Sequence, residues 1–400
     1  MADFGVMMLS WEFPPRIIGG IAPHVFELSK ALAGKGVLVY VITCDFPGAP
    51  AYEEIEGVRV YRVDSYSFPT PDFATWIAMM NVNLQTKATE VLASIRDNIH
   101  VLHAHDWLVA NASIGLKHIF RIPLLATIHS TESGRRKGIH DDYQRMIGST
   151  EAWLTQEAWR VICCSDFMAE EVKKALSVPH DRIDVIPNGI NTLPFEVPYD
   201  REAFRSRFVG KGEKLVLYVG RFVQEKGVAL LVEAVPKVLR ALDAKFVMVG
   251  EGYMKETLLK RLDEMDVAKA VNITGFLDTE TVRLLFRAAD VCVVPSLYEP
   301  FGIVALEAMA AGAPIVTTGI GGLGEILKHG KSAVIASPAV DSIAKAITRI
   351  LRNPAYADSL RQRAFQRVAS LYRWDSIAER TRTVYERVMD EYDGGVWKPR

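Results

Sequence analysis

Apolar positions along this chain gather in short runs rich in Val, Ile and Leu, and the stretches between them are amphipathic and of helical length. A short run without alternation fits a strand covered on both faces. Its regular interleaving with helices is the βαβα order of a parallel sheet flanked by helices. In the first half the runs predict strands at Phe4–Leu9, Val37–Thr43, Val58–Val63, Val101–Ala104, Leu124–Ile128, Val161–Cys164 and Ile183–Ile186. Ile21, Val25, Leu28 and Leu32 share one face at helical spacing, which predicts a helix over 21–33.

The alternation lapses after Pro187, Asn188 and Gly189, with Pro194 and Pro198 in the gap, and resumes at the run Lys214–Gly220. The gap reads as an interdomain linker. Further strands are predicted at Phe246–Val249, Val271–Thr274, Val291–Val294, Ile315–Thr317 and Ala333–Ile335, and from Pro354 onward the pattern is helical only. The expected organisation is two doubly wound, Rossmann-like α/β domains, residues 1–190 and 191–372, with a tail, 373–400, whose helix Trp374–Met389 returns to the first domain. Open sheets of this kind bind ligands at the carboxyl ends of their strands. A cleft lined by both sets of strand ends is therefore the expected site.

Composition narrows the chemistry. Lys+Arg 47 against Asp+Glu 48 gives a formal charge of -1, so no chain-wide field gathers nucleic acid or anionic lipid, and a bound anion must be held locally. No apolar run approaches the length of a membrane span. The start, MADFGVMMLSWEFPP, has neither a basic leader nor a small-residue cleavage pattern. Cys44, Cys163, Cys164 and Cys292 follow no metal or disulfide spacing. A cytoplasmic setting, no transmembrane segment, no nucleic-acid partner and no metal or other cofactor are expected; oligomeric state is not readable.

Three loops carry candidate chemistry. Gly19 and Gly20 precede the predicted helix 21–33, where glycine permits close backbone approach and unpaired N–H groups attract phosphate; a plain turn into the helix is the alternative. The turn is not G-x-G-x-x-G, which argues against a dinucleotide cofactor. In GRFVQEKG, residues 220–227, Arg221 offers a planar fork and Lys226 a point charge, enough to neutralise a diphosphate without a metal. No D-x-D triplet is present to hold a divalent ion. The third loop, Ser296–Val316, places Phe301, Gly302 and Ile303 at a helix start whose N–H groups face a phosphate or sugar hydroxyl. Glu307 lies about one turn further in, within an otherwise apolar run where an idle carboxylate is costly to bury, and Glu299 precedes the helix.

Together, Glu299 and Glu307 in their E-x7-E segment, GRFVQEKG, the GGIAPHV turn and PNGIN at 187–191 resemble the group 1 (family 4) retaining glycosyltransferases of GT-B fold. The resemblance runs over essentially the whole chain, with the motifs in the family's order. It implies that Arg221 and Lys226 bind the donor diphosphate, that Glu307 binds the nucleotide ribose, and that Glu299 approaches the donor sugar. It further implies that the amides of Phe301, Gly302 and Ile303 bind sugar and phosphate, that Gly19 and Gly20 contact the diphosphate, and that His129 sits by the anomeric region. The family's mechanism is a metal-independent front-face substitution.

HAHDW, residues 103–107, places His105, Asp106 and Trp107 at a strand end. From the residues alone the group either binds and stacks on a sugar or caps a helix. It resembles a segment of the glycogen and starch synthases, as does HSTESGR, residues 129–135. The resemblance puts Asp106 with His129 and Glu299 among the catalytic candidates, and His105, Trp107 and Arg135 on the acceptor side. Residues 69–81 are similar to a synthase acceptor segment, although an apolar core helix is the favoured reading. One departure stands out: the synthases of the neighbouring family carry a lysine before the glycines, whereas Ile17 and Ile18 stand here, with Arg16 the nearest cation.

The expected activity is transfer of a sugar, glucose above others, from ADP- or UDP-glucose to a saccharide acceptor such as an α-1,4-glucan. Alternatives are a mannosyl or lipid-linked transferase, for which Arg135, Arg136 and Lys137 are the one basic cluster, and a sugar-nucleotide epimerase, which needs no acceptor.

Overall fold

The structure, a computed structural model, describes residues 4–95 and 99–393. The chain divides into two compact units, residues 1–189 with 374–400, and residues 190–373.

Eight strands form the sheet of the first unit: β1 (Gly5–Leu9), β2 (Leu38–Cys44), β3 (Tyr52–Ile55), β4 (Val58–Val63), β5 (Val101–His105), β6 (Leu124–Ile128), β7 (Arg160–Cys163) and β8 (Ile183–Val185). Their order is β3-β4-β2-β1-β5-β6-β7-β8. All neighbours pair in parallel except β3, which is antiparallel to β4. β1 lies inside, with Met7 opposite Tyr40 on one side and Leu102 on the other. Because the chain winds outward both ways from β1, the crevice that such a sheet offers a ligand falls between the ends of β1 and β5. β3 is an addition to the sequence reading. Its four residues, YEEI, are exposed or half-buried, and an edge strand with two acids carries no apolar run to reveal it.

The helix Ile21–Ala33 covers this sheet, and the helix Trp374–Asp393 packs beside it. Ile377, Ala378, Val384, Tyr385 and Val388 share one apolar cluster with Val25, Leu28 and Leu32. The chain's end therefore completes the core of the unit in which it began.

In the second unit the strands are β9 (Lys214–Val219), β10 (Ala244–Val249), β11 (Val271–Gly275), β12 (Val291–Val294), β13 (Ile315–Thr317) and β14 (Val334–Ile335). The all-parallel order β11-β10-β9-β12-β13-β14 is the 3-2-1-4-5-6 arrangement of a nucleotide-binding sheet. Its switch point lies between β9 and β12. GRFVQEKG follows β9 and SLYEPFG follows β12, so topology alone brings the two loops together. Among the described residues no helix is long and apolar enough to cross a membrane.

Candidate active site

In the second unit the two loops meet through backbone and charge. The Glu225 carbonyl accepts from the amides of Leu297 and Tyr298 at 2.8 and 3.1 Å. Gly227 makes this approach possible: its φ is +64°, and a Cβ there would lie 1.9 Å from the Pro295 carbonyl oxygen. Lys226 Nζ then sits 2.9 and 2.8 Å from the two oxygens of Glu299, whose residue is 8 % exposed, and Ser296 Oγ donates to the same carboxylate at 2.9 Å. Arg221 stays half exposed, 3.6 Å from Glu225. Both cations thus converge on the switch point, each facing a carboxylate.

The helix Ile303–Ala310 begins there at Gly302, which has φ 116° and no side-chain cap. The amides of Phe301, Gly302 and Ile303 have no hydrogen-bond partner among the described residues. Unpaired amides at a helix start, with the positive end of its dipole, form a ready anion site. Glu307, one turn along, is half-buried; burial pushes its carboxyl up to about 7, with Arg283 opposing.

In the first unit the turn at Gly19 and Gly20 is exposed, but the Gly19 amide and its neighbour already hold an anion. The Glu12 carboxylate, 1 % exposed, accepts from Ile18 N at 2.6 Å and Gly19 N at 3.0 Å. Burial raises the Glu12 pKa, and hydrogen bonds from the amides of Ile18, Gly19 and Ala22 oppose the rise. The helix Ile21–Ala33 has no acid in its first turn and no side-chain cap; Glu12 supplies the negative charge that this end favours. Arg16 instead lies over the Trp11 ring and reaches the Asp45 carbonyl. Glu12 was not among the sequence candidates, since a lone Glu in SWEFPP shows no partner until the loop is folded.

Three histidines converge beside this turn. His105 ends β5, His129 follows β6, and His24 comes from the helix Ile21–Ala33. His105 Nδ1 and His129 Nε2 are 3.3 Å apart, and the His24 ring centroid lies 4.7 Å from that of His129. His24 Nδ1 bonds Asn188 Oδ1 at 2.7 Å, and Trp374 packs edge-on against the same ring. Burial depresses all three pKa values, His129 to about 4, so the rings are neutral at pH 7. Below them His103 is fully satisfied, its nitrogens 2.7 Å from Tyr385 Oη and Thr127 Oγ1. His24 and Asn188 were missed as site residues; the APHV and PNGIN segments that carry them gave only the family resemblance.

Asp106 does not cap the turn that follows it. Its Oδ1 accepts from His129 N at 2.8 Å, and the Ser130 amide also bonds the carboxylate. The residue has φ 61°, a conformation costly for a non-glycine residue. Burial pushes its pKa up to about 6. Asp106 therefore ties the end of β5 to the end of β6 and sets the backbone that presents His129. Trp107 is 6 % exposed and packed in the core, so it offers no face to a sugar. His105 is buried as well, whereas Arg135 is held by Ser130 and Glu132 at 2.8 Å each. Arg136 also reaches Glu132, so two of the three cations of the run 135–137 face one carboxylate. Residues 69–81 are divided between the two readings: Ile77, Met80 and Asn81 are buried, while Phe73 is exposed and stacks on Trp76.

Two family models match the chain, "Glycosyltransferase Family 4" over residues 18–192 and "Glycosyl transferases group 1" over residues 200–367. An uncharacterized glycosyltransferase of Methanocaldococcus jannaschii is 40% identical, covering 96% of this chain and 98% of that protein. A glycogen synthase of Mycobacterium tuberculosis is 37% identical, covering 95% and 94%. Among solved structures, a sucrose-phosphate synthase from Thermosynechococcus elongatus superposes with a TM-score of 0.84 at 25% identity, covering 97% of this chain and 99% of that one.

Proposed function

The chain belongs to the group 1 glycosyltransferases of GT-B fold, and from that premise we propose that it transfers glucose from ADP- or UDP-glucose to an α-1,4-glucan, with retention of anomeric configuration. The observation that carries the reading is the cluster at the second unit's switch point: three unpartnered amides at a helix start, flanked by Lys226 and Arg221. That arrangement suits a diphosphate. Glu307, in its ionised form, accepts the ribose hydroxyls.

As the C1–O bond to the diphosphate breaks, charge builds on the leaving group. Preorganised amides and cations stabilise it there without reorganising. The acceptor hydroxyl oxygen bonds to C1 on the same face, and its proton passes to the departing diphosphate. His129 lies by the reacting sugar; Glu299 contacts the sugar's hydroxyls while Lys226 offsets its charge. Asp106 acts through the backbone of His129 as a positioning residue.

The glucan acceptor rests on the likeness to a glycogen synthase. Incubation with labelled ADP-glucose, UDP-glucose and GDP-mannose, with and without a glucan primer, tests the reading. Transfer from a glucose donor to the primer, giving an α-linked product by NMR, is expected. Transfer from GDP-mannose alone removes the glucan assignment, and conversion of the donor sugar without an acceptor favours an epimerase.

A further inference from the structure

We infer that His24, His105 and His129 form a binding site for a divalent transition-metal ion, with zinc the best match to the ligand set. One ring nitrogen from each lies within 4.8 Å of the others. The 3.3 Å between His105 Nδ1 and His129 Nε2 is about the ligand-to-ligand edge of a tetrahedron built on bonds of roughly 2.0–2.1 Å. Closing the third ring onto that edge asks for a shift of about 1–1.5 Å, given the metal–nitrogen lengths.

A second observation is independent of spacing. His24 Nε2 is shut away from water with no hydrogen-bond partner. Buried polar atoms without partners are uncommon and call for an explanation. For His24 the free atom is also the right one. Asn188 Oδ1 only accepts, so His24 Nδ1 carries the proton and Nε2 presents its lone pair. An outer hydrogen bond that fixes the tautomer is how metal-binding histidines are commonly held.

The nearby acidic groups do not offer the same opportunity. The Glu151 carboxylate is taken up by the Glu132 amide at 2.9 and 3.1 Å, and Arg135 pairs with Glu132. A set of three imidazoles suits zinc, copper or nickel and leaves a fourth position for water or an anion. His129, half-buried, is the most accessible of the three rings. If the transfer reading holds, an ion here takes up His129 and opposes donor binding; the metal site itself does not rest on that reading.

The test uses the full chain, freed of any affinity tag and stripped with a chelator. After loading with Zn2+ and desalting, one equivalent per chain is expected by elemental analysis, and Co2+ should give the intense visible absorption of a tetrahedral complex. His24→Gln and His129→Gln, each checked for folding by circular dichroism, should weaken binding at least about 100-fold, beyond the usual cost of losing an outer partner. Well under one equivalent in the wild type, or undiminished binding in both variants, overturns the site. Metal is read directly, so a protein that binds cobalt yet transfers no sugar refutes only the transferase assignment.

Discussion

The two units solve different electrostatic problems at equivalent places, the switch points of their sheets. In the second unit, charges face charges: Lys226 against Glu299, Arg221 against Glu225, with open amides at the next helix start. In the first unit the ends of β1, β5 and β6 carry neutral rings and deeply buried carboxylates, and Glu12 already engages amides beside its glycine turn. One set of strand ends is suited to hold an anion. The other is suited to shape and position neutral groups.

The sharpest way to break this contrast is Lys226→Ala. The mutation removes a cation from the anion site and leaves Glu299 nearly buried without its ion partner, a loss of about 3–5 kcal/mol when a buried pair is broken. A fall in kcat/KM of about 10³-fold is expected, in the range of losing a strong contact to developing charge. Steady-state kinetics with a labelled donor measure it. A loss under tenfold would mean that the amides hold the diphosphate unaided.

Next in size is Gly227→Ala. A Cβ 1.9 Å from the Pro295 oxygen forces the two loops apart, at a cost of about 3 kcal/mol or more. Thermal unfolding should show a Tm lowered by about 6–12 °C for a unit of this size. Gly36→Ala is the matched control, since Gly36 has φ +85° but nothing within 4 Å of the added carbon. It should cost only about 1 kcal/mol, the strain of a left-handed alanine. Equal losses in the two variants would show that conformation, not close approach, matters at Gly227.

This contrast also explains what could be read beforehand. The second unit's site lies in two contiguous segments, 220–227 and 296–307, so its residues stand together in the sequence before they stand together in space. Parallel strands such as β12 and β13, buried throughout, were legible for the same local reason. The first unit draws its site from Glu12, His24, His105, His129, Asn188 and Trp374, and only folding makes these neighbours. Asp106 shows the limit most plainly. Its residue type suits a helix cap, yet its carboxylate serves two amides on the adjoining strand end, a partnership set by β5–β6 pairing. Trp107 suggested a sugar platform by composition, and burial decides against it.

A smaller, pH-dependent effect separates the units further. In the role proposed for it, Glu307 accepts ribose hydroxyls as the carboxylate, and burial pushes its pKa up to about 7. The carboxylate dominates above that value and is lost as the pH falls through it. Donor affinity should therefore weaken between pH 8 and pH 6, by at most about tenfold per unit for a single proton. Glu307→Gln should bind weakly at every pH and flatten the profile, as read by calorimetric titration of the nucleoside diphosphate. A profile unchanged by that mutation would move the titration to another group.

The smallest expected effect lies in the first unit and separates support from chemistry. Tyr385 Oη and Thr127 Oγ1 hold the two nitrogens of His103, which lies 4.2 Å ring to ring from His105. Tyr385→Phe keeps the ring in its apolar cluster but leaves His103 Nδ1 buried without its partner, at a cost of about 1–2 kcal/mol. Tm should fall by about 2–8 °C for a unit of about 200 residues. KM for the donor should stay within about twofold, because His103 touches the site only through His105 and a twofold change is about 0.4 kcal/mol. A larger change in KM with little change in Tm would mean that the stacked histidines transmit their hydrogen bonding to His129.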